Sequence, residues 1–72
     1  MNFLTQKVLE YQQKKLVEAK ANLQSHVDKM EKLSLYDSDN FALENEEKLI
    51  KIWSQNVNKI EKEIAKIKEK TN

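Results

Sequence analysis

Ile50-Lys51-Ile52-Trp53-Ser54-Gln55-Asn56-Val57-Asn58-Lys59-Ile60-Glu61-Lys62-Glu63-Ile64-Ala65-Lys66-Ile67 places apolar side chains at Ile50, Trp53, Val57, Ile60, Ile64 and Ile67. Their spacing is an unbroken 3-4-3-4-3. A mean step of about 3.5 residues is the seam of a coiled coil or helical bundle, and a strand would alternate every second residue. The stretch therefore predicts a helix that buries one narrow stripe against another helix.

Working outward toward the amino end, Leu9, Leu16, Leu23 and Met30 recur every seven residues. The seam positions between them are Gln12, Ala19, His26 and Leu33, so this seam is more polar than the second. Ser34-Leu35-Tyr36-Asp37-Ser38-Asp39-Asn40 interrupts the repeat and is the one cluster of short polar residues. Such side chains bond nearby backbone in turns and at helix N-caps. The reading is all-α: an antiparallel helical hairpin of two long helices in one domain spanning 1–72. One helix covers about 3–33, a turn about 34–40 and a second helix about 41–70, following the loss and return of the apolar period. Ser38, Asp39 or Asn40 is expected to cap the second helix. Glu44, Glu46 and Glu47 would sit near its positive end, and Lys62, Lys66, Lys68 and Lys70 toward its negative end.

Composition supports long helices. The 72 residues include no Gly and no Pro, where average usage would supply about eight or nine of the two. These residues are the usual punctuation of turns and helix ends. With no Cys and a single His, disulfides, thiolate metal sites and His-rich metal sites are excluded within one chain. A chain this short is marginal alone, and oligomerisation or docking on a partner is the remaining route to stability.

Charge narrows the partners. The net charge is +1 and all thirteen basic residues are Lys. The absence of Arg removes the side chain best suited to bidentate phosphate and guanine contacts. Lys, Asn and Ile enrichment with no Arg suits an AT-rich coding sequence, such as that of a low-GC bacterium, plasmid or phage. Residues 37–47 hold Asp37, Asp39, Glu44, Glu46 and Glu47 without a Lys, a local charge of −5 against +6 for the rest. A hairpin so charged is acidic at its turn and basic at its ends. Head-to-tail stacking of two hairpins pairs those charges and predicts an antiparallel homodimer, a four-helix bundle. Exposed pairs contribute only about 0.2–1 kcal/mol each and thus select orientation.

Apolar residues outside the seams support the same expectation. Phe3, Leu4, Val8, Tyr11, Val17, Val27, Leu35, Leu43 and others make a surface too wide for two helices to cover. Tyr36, Phe41, Leu49, Ile52 and Trp53 are the candidate protein-interaction residues, since Trp and Tyr are common interface anchors. They can serve a homodimer core, a heterologous interface, or both.

No catalytic, cofactor-binding or metal site is expected, and the protein is read as non-enzymatic. Ser25 and His26 are adjacent on a helix and point about 100° apart, with no orienting carboxylate. His26 reads as a partly exposed polar member of a helix face. Aligned on a calcium loop beginning at Asp37, Ala42 falls where Gly is required and Lys48 where the bidentate Glu belongs. The mixed Lys and Glu of 59–70 read as a solvated face with i,i+4 pairs. No apolar run reaches the ~18 residues of a membrane span. Met1-Asn2-Phe3-Leu4-Thr5-Gln6-Lys7 lacks a signal-peptide pattern, so a cytoplasmic protein with no membrane partner is expected.

In Ser54-Gln55-Asn56-Val57-Asn58 the first two residues resemble the Ser-Gln-Glu-Leu-Asp signature of a family of small bacterial aspartyl-phosphate phosphatases, which are also helical hairpins. Both acidic positions of that signature are Asn here, Asn56 and Asn58, so the charge is missing and the activity is not carried over. The expected architecture is also similar in shape to plasmid copy-control proteins of the Rop type, without a shared motif. The functional expectation is a small interaction module or regulator that binds or occludes a partner protein. The alternatives are a Rop-like nucleic-acid-binding four-helix bundle and a structural coiled-coil component of a larger assembly.

Overall fold

The computed structural model describes residues 2–36 and 40–70, without the side chains of Tyr36 and Asn40. It is a hairpin of two helices packed against each other, α1 (Phe3–Tyr36) and α2 (Asn40–Lys70). α2 is the more sharply amphipathic, as its unbroken seam predicts. The molecule measures 53 × 14 × 13 Å, which matches the ~51 Å expected of a 34-residue helix at ~1.5 Å per residue.

Asn2 starts α1. Its Oδ1 accepts a bond from the Thr5 N–H at 2.8 Å, and its carbonyl accepts one from the Gln6 N–H at 3.0 Å. This is N-cap geometry, with the side chain taking the N3 donor that the helix cannot satisfy itself. At the other end α1 continues through Ser34, Leu35 and Tyr36, beyond the expected boundary near 33. Ser34 is helical, and its hydroxyl donates back to the Glu31 carbonyl at 2.8 Å. Asn40 is the first residue of α2. The expected caps Ser38 and Asp39, with Asp37, lie outside the described residues. Glu44, Glu46 and Glu47 fall beyond the first turn of α2, where a helix dipole has largely faded, whereas Lys68 and Lys70 do occupy its last turn.

Both seams face inward. Leu9, Ala19, Val57 and Ile64 are buried, and the other seam positions from Gln12 to Leu33 and from Ile50 to Ile67 are half-buried. The 3-4 spacing of α2 extends back from Ile50 through Glu46 to Leu43, both also half-buried. The two edges of the α1 seam differ. One edge is Leu9, Leu16, Leu23 and Met30, all large and apolar. The other is Thr5, Gln12, Ala19, His26 and Leu33, mostly small or polar.

The core this makes is thin. The surface area is 5723 Å², about 1,000 Å² more than the roughly 4,700 Å² of a compact protein of 8.5 kDa. The radius of gyration is 16.3 Å, where a globular chain of this length would give about 11 Å. Two helices side by side leave their outer apolar residues to solvent: Phe3, Leu4, Tyr11, Val17, Leu35 and Phe41 are exposed.

Candidate functional site

Where the weak edge of the α1 seam meets α2, the hairpin surface is concave. An open groove of about 470 Å³ has Ala19, Trp53 and Ile60 at its base and Lys15, Asn22, Asn56 and Lys59 along its rims. A second hollow lies at the open end of the hairpin, between Leu4, Thr5 and Val8 of α1 and Ile67 and Lys70 of α2. Thr5 and Ala19 belong to the same edge of the α1 seam, and Trp53, Ile60 and Ile67 to one edge of the α2 seam. The two hollows therefore lie on one face of the molecule. Small side chains on α1 and large ones on α2 produce it: Ala19 presents no more than a methyl group where Trp53 rises beside it.

Of the interaction residues expected from the sequence, Leu49, Ile52 and Trp53 come together. They are three and four residues apart on α2, which makes them surface neighbours. One heptad step carries Leu49 to Asn56 and Ile52 to Lys59, both on the groove rim. The patch thus continues the groove. Ile52 is 51% exposed, Leu49 and Trp53 are half-buried. Phe41 is not part of it. It is 79% exposed and lies about 16 Å along α2 from Ile52 at ~1.5 Å per residue. The side chain of Tyr36 lies outside the described residues.

The α1 half of the face was not singled out from the sequence. Leu4 and Val8 line the second hollow, and Tyr11 is one heptad beyond Leu4. Leu4, Val8 and Tyr11 are 74%, 48% and 61% exposed. The signal was the repeat itself: in an antiparallel pair, equivalent flanks of the two seams lie on the same side. The Lys15 ammonium sits over the Tyr11 ring, 5.5 Å from its centroid, so charge is held beside apolar surface on this face.

His26, expected as a partly exposed polar member of a helix face, is half-buried on the seam and has a partner that was not expected. Its Nδ1 lies 2.7 Å from Glu46 Oε2 across the seam, and both side chains are mostly covered. Continuing the 3-4 spacing of α2 backward from Ile50 would have found Glu46. Among the described residues, no group of three or more His, Cys, Asp or Glu comes close enough to hold a metal ion. Among the described residues, no helix is long and apolar enough to cross a membrane. No protein-family model, curated protein or solved structure matches this chain.

Proposed function

We propose that this hairpin is a small, non-enzymatic, cytoplasmic interaction module that binds a partner protein and thereby bridges or occludes it. The observation that carries the reading is the apolar patch of Leu49, Ile52 and Trp53 running into a groove on a molecule with four buried side chains among those described. A surface excess of about 1,000 Å² exceeds the ~800 Å² that each partner buries in a standard interface. Trp at the base of a concavity is a common anchor of such contacts. Self-association into an antiparallel four-helix bundle is the competing use of this surface, and solution mass separates it from capture of a different protein. The Lys side chains on the groove rim favour a second reading, a nucleic-acid-binding bundle, which demands affinity that falls steeply with salt.

The test is solution mass by light scattering, at low and high salt, for the wild type and for Leu49→Glu combined with Ile52→Glu. Both positions are outside the buried core, so helicity should persist while dimerisation or partner capture is lost. Association that survives both substitutions would remove the assignment.

A further inference from the structure

We infer that the grooved face takes an amphipathic helix with an acidic rim, supplied by a partner protein and laid along the hairpin to complete a three-helix bundle. The inference rests on the interaction-module reading and names the chemistry of the partner.

Its first ground is the shape of the face. Two hollows follow one another along the same side of a 53 Å rod, with Leu49 and Ile52 continuing the line from the central groove. A helix laid in such a line meets Trp53 and Ile60 at its middle and Leu4 and Val8 at one end. Helix-in-groove recognition reads anchors at this spacing.

The second ground is charge. Lys15 and Lys59 line the central groove together with Glu18 and Glu63, and Lys70 lines the second hollow. Heptad steps place Lys29, Lys32 and Lys66 in the same flanking rows. The groove itself is balanced, and the rows carry a net of +4 from the Lys on either side of it, toward the turn and toward the open end. The opposite flanks are reversed: Glu10, Glu31, Glu44, Glu47 and Glu61 outnumber three Lys. A molecule of net charge +1 thus concentrates positive charge on its grooved side.

This segregation decides the occupant. A second copy docking by the same face would set +4 against +4, and like charge across an interface is a strong deterrent. Nucleic acid fits the charge but not the surface. Its aromatics are only Tyr11, whose ring is taken by Lys15, and Trp53, half-buried at the groove base. Leu4, Val8, Leu49 and Ile52 around them are aliphatic and make no row of stacking platforms, and the chain has no Arg for fork-like phosphate contacts. An acidic-rimmed apolar helix satisfies both the stripe and the Lys rows.

The single Trp supplies the readout, because Trp53 lies at the groove base. Two synthetic peptides of about 28 residues, spanning ~42 Å as helices, carry Leu at seam spacing and no aromatic residue. One is flanked by Glu, the other by Lys. At about 50 mM salt, where surface charge is weakly screened, the Glu-flanked peptide should shift Trp53 emission to the blue and bind at least about tenfold tighter. The difference should shrink as salt rises. Lys15→Glu with Lys59→Glu changes exposed positions only, brings the net of the rows to zero and should erase the preference. Equal binding of both peptides overturns the acidic partner while leaving the interaction module standing. Failure of both peptides, or of the Glu-flanked one alone, to bind overturns the inference, whether the face is then covered by a hairpin dimer seen in light scattering or by an RNA duplex that shields Trp53.

Discussion

His26 and Glu46 meet across the helix seam at 2.7 Å, with side-chain exposures of 18% and 13%. Each occupies a position that the 3-4 spacing reserves for apolar residues. A polar pair at a seam contributes register more than stability, since each partner must give up water to reach the other. Here it ties α1 to the turn-proximal part of α2, where the apolar seam is otherwise interrupted.

Removing one partner should therefore cost more than removing both. His26→Ala or Glu46→Ala alone should destabilise by about 1–3 kcal/mol, because the remaining polar group stays half-buried without its bond. His26→Leu combined with Glu46→Leu should equal or exceed wild-type stability by up to about 1–4 kcal/mol, while freeing alternative registers. Urea midpoints at unchanged slope measure this. A double Leu variant less stable than either single Ala variant would contradict it.

The apolar residues divide into two functional sets that one experiment can separate. Ile64 is 8% exposed and Ile52 is 51% exposed. Ile64→Ala removes buried methyl groups and leaves a cavity, an expected loss of about 2–4 kcal/mol. Ile52→Ala should change the stability of the isolated hairpin by no more than about 0.5 kcal/mol, as exposed sites do, yet weaken association. Comparable losses of stability at both sites would mean that Ile52 already belongs to the core.

The hairpin was legible because the apolar positions of Leu9 to Met30 and Ile50 to Ile67 need only a count of three and four. Neither Gly nor Pro competes with them for a different reading. The pairing of His26 with Glu46 was less legible because Glu46 lies in a run of acidic residues and invites a solvent-facing interpretation. Trp53, Leu49 and Ile52 could be found as a patch on one helix, since i and i+3 spacing determines their proximity. Their continuation onto Leu4, Val8 and Tyr11 depends on which flanks two antiparallel helices share. That is a property of the pair, and a single helical pattern does not contain it.

Asn2 should matter more than a residue so near the amino end would suggest. Its side chain takes the Thr5 N–H at 2.8 Å, and no acidic residue in the first turn assists it. Asn2→Ala should cost about 0.5–2 kcal/mol of local helix stability, and Asn2→Asp should retain or improve it. Amide exchange of Leu4 through Gln6 reports this directly. Unchanged protection in the Ala variant would show that packing alone holds the first turn.

Ala19 is the most informative single position on the grooved face. It is 3% exposed, yet it lines the groove with Trp53, so its methyl group is covered while space remains beside it. A larger side chain can enter that space only by displacing what covers position 19. Ala19→Leu should cost about 1–3 kcal/mol, as overpacking does, and move Trp53 toward solvent, seen as a red shift of its emission. The same variant should lose the Glu-flanked peptide, because the groove base would be filled. Leu accepted with neither a stability cost nor a spectral change would mean that the groove is wide enough to leave Trp53 undisturbed. Peptide binding would then have to be anchored by Leu49, Ile52 and the Lys rows rather than by the hollow beneath them.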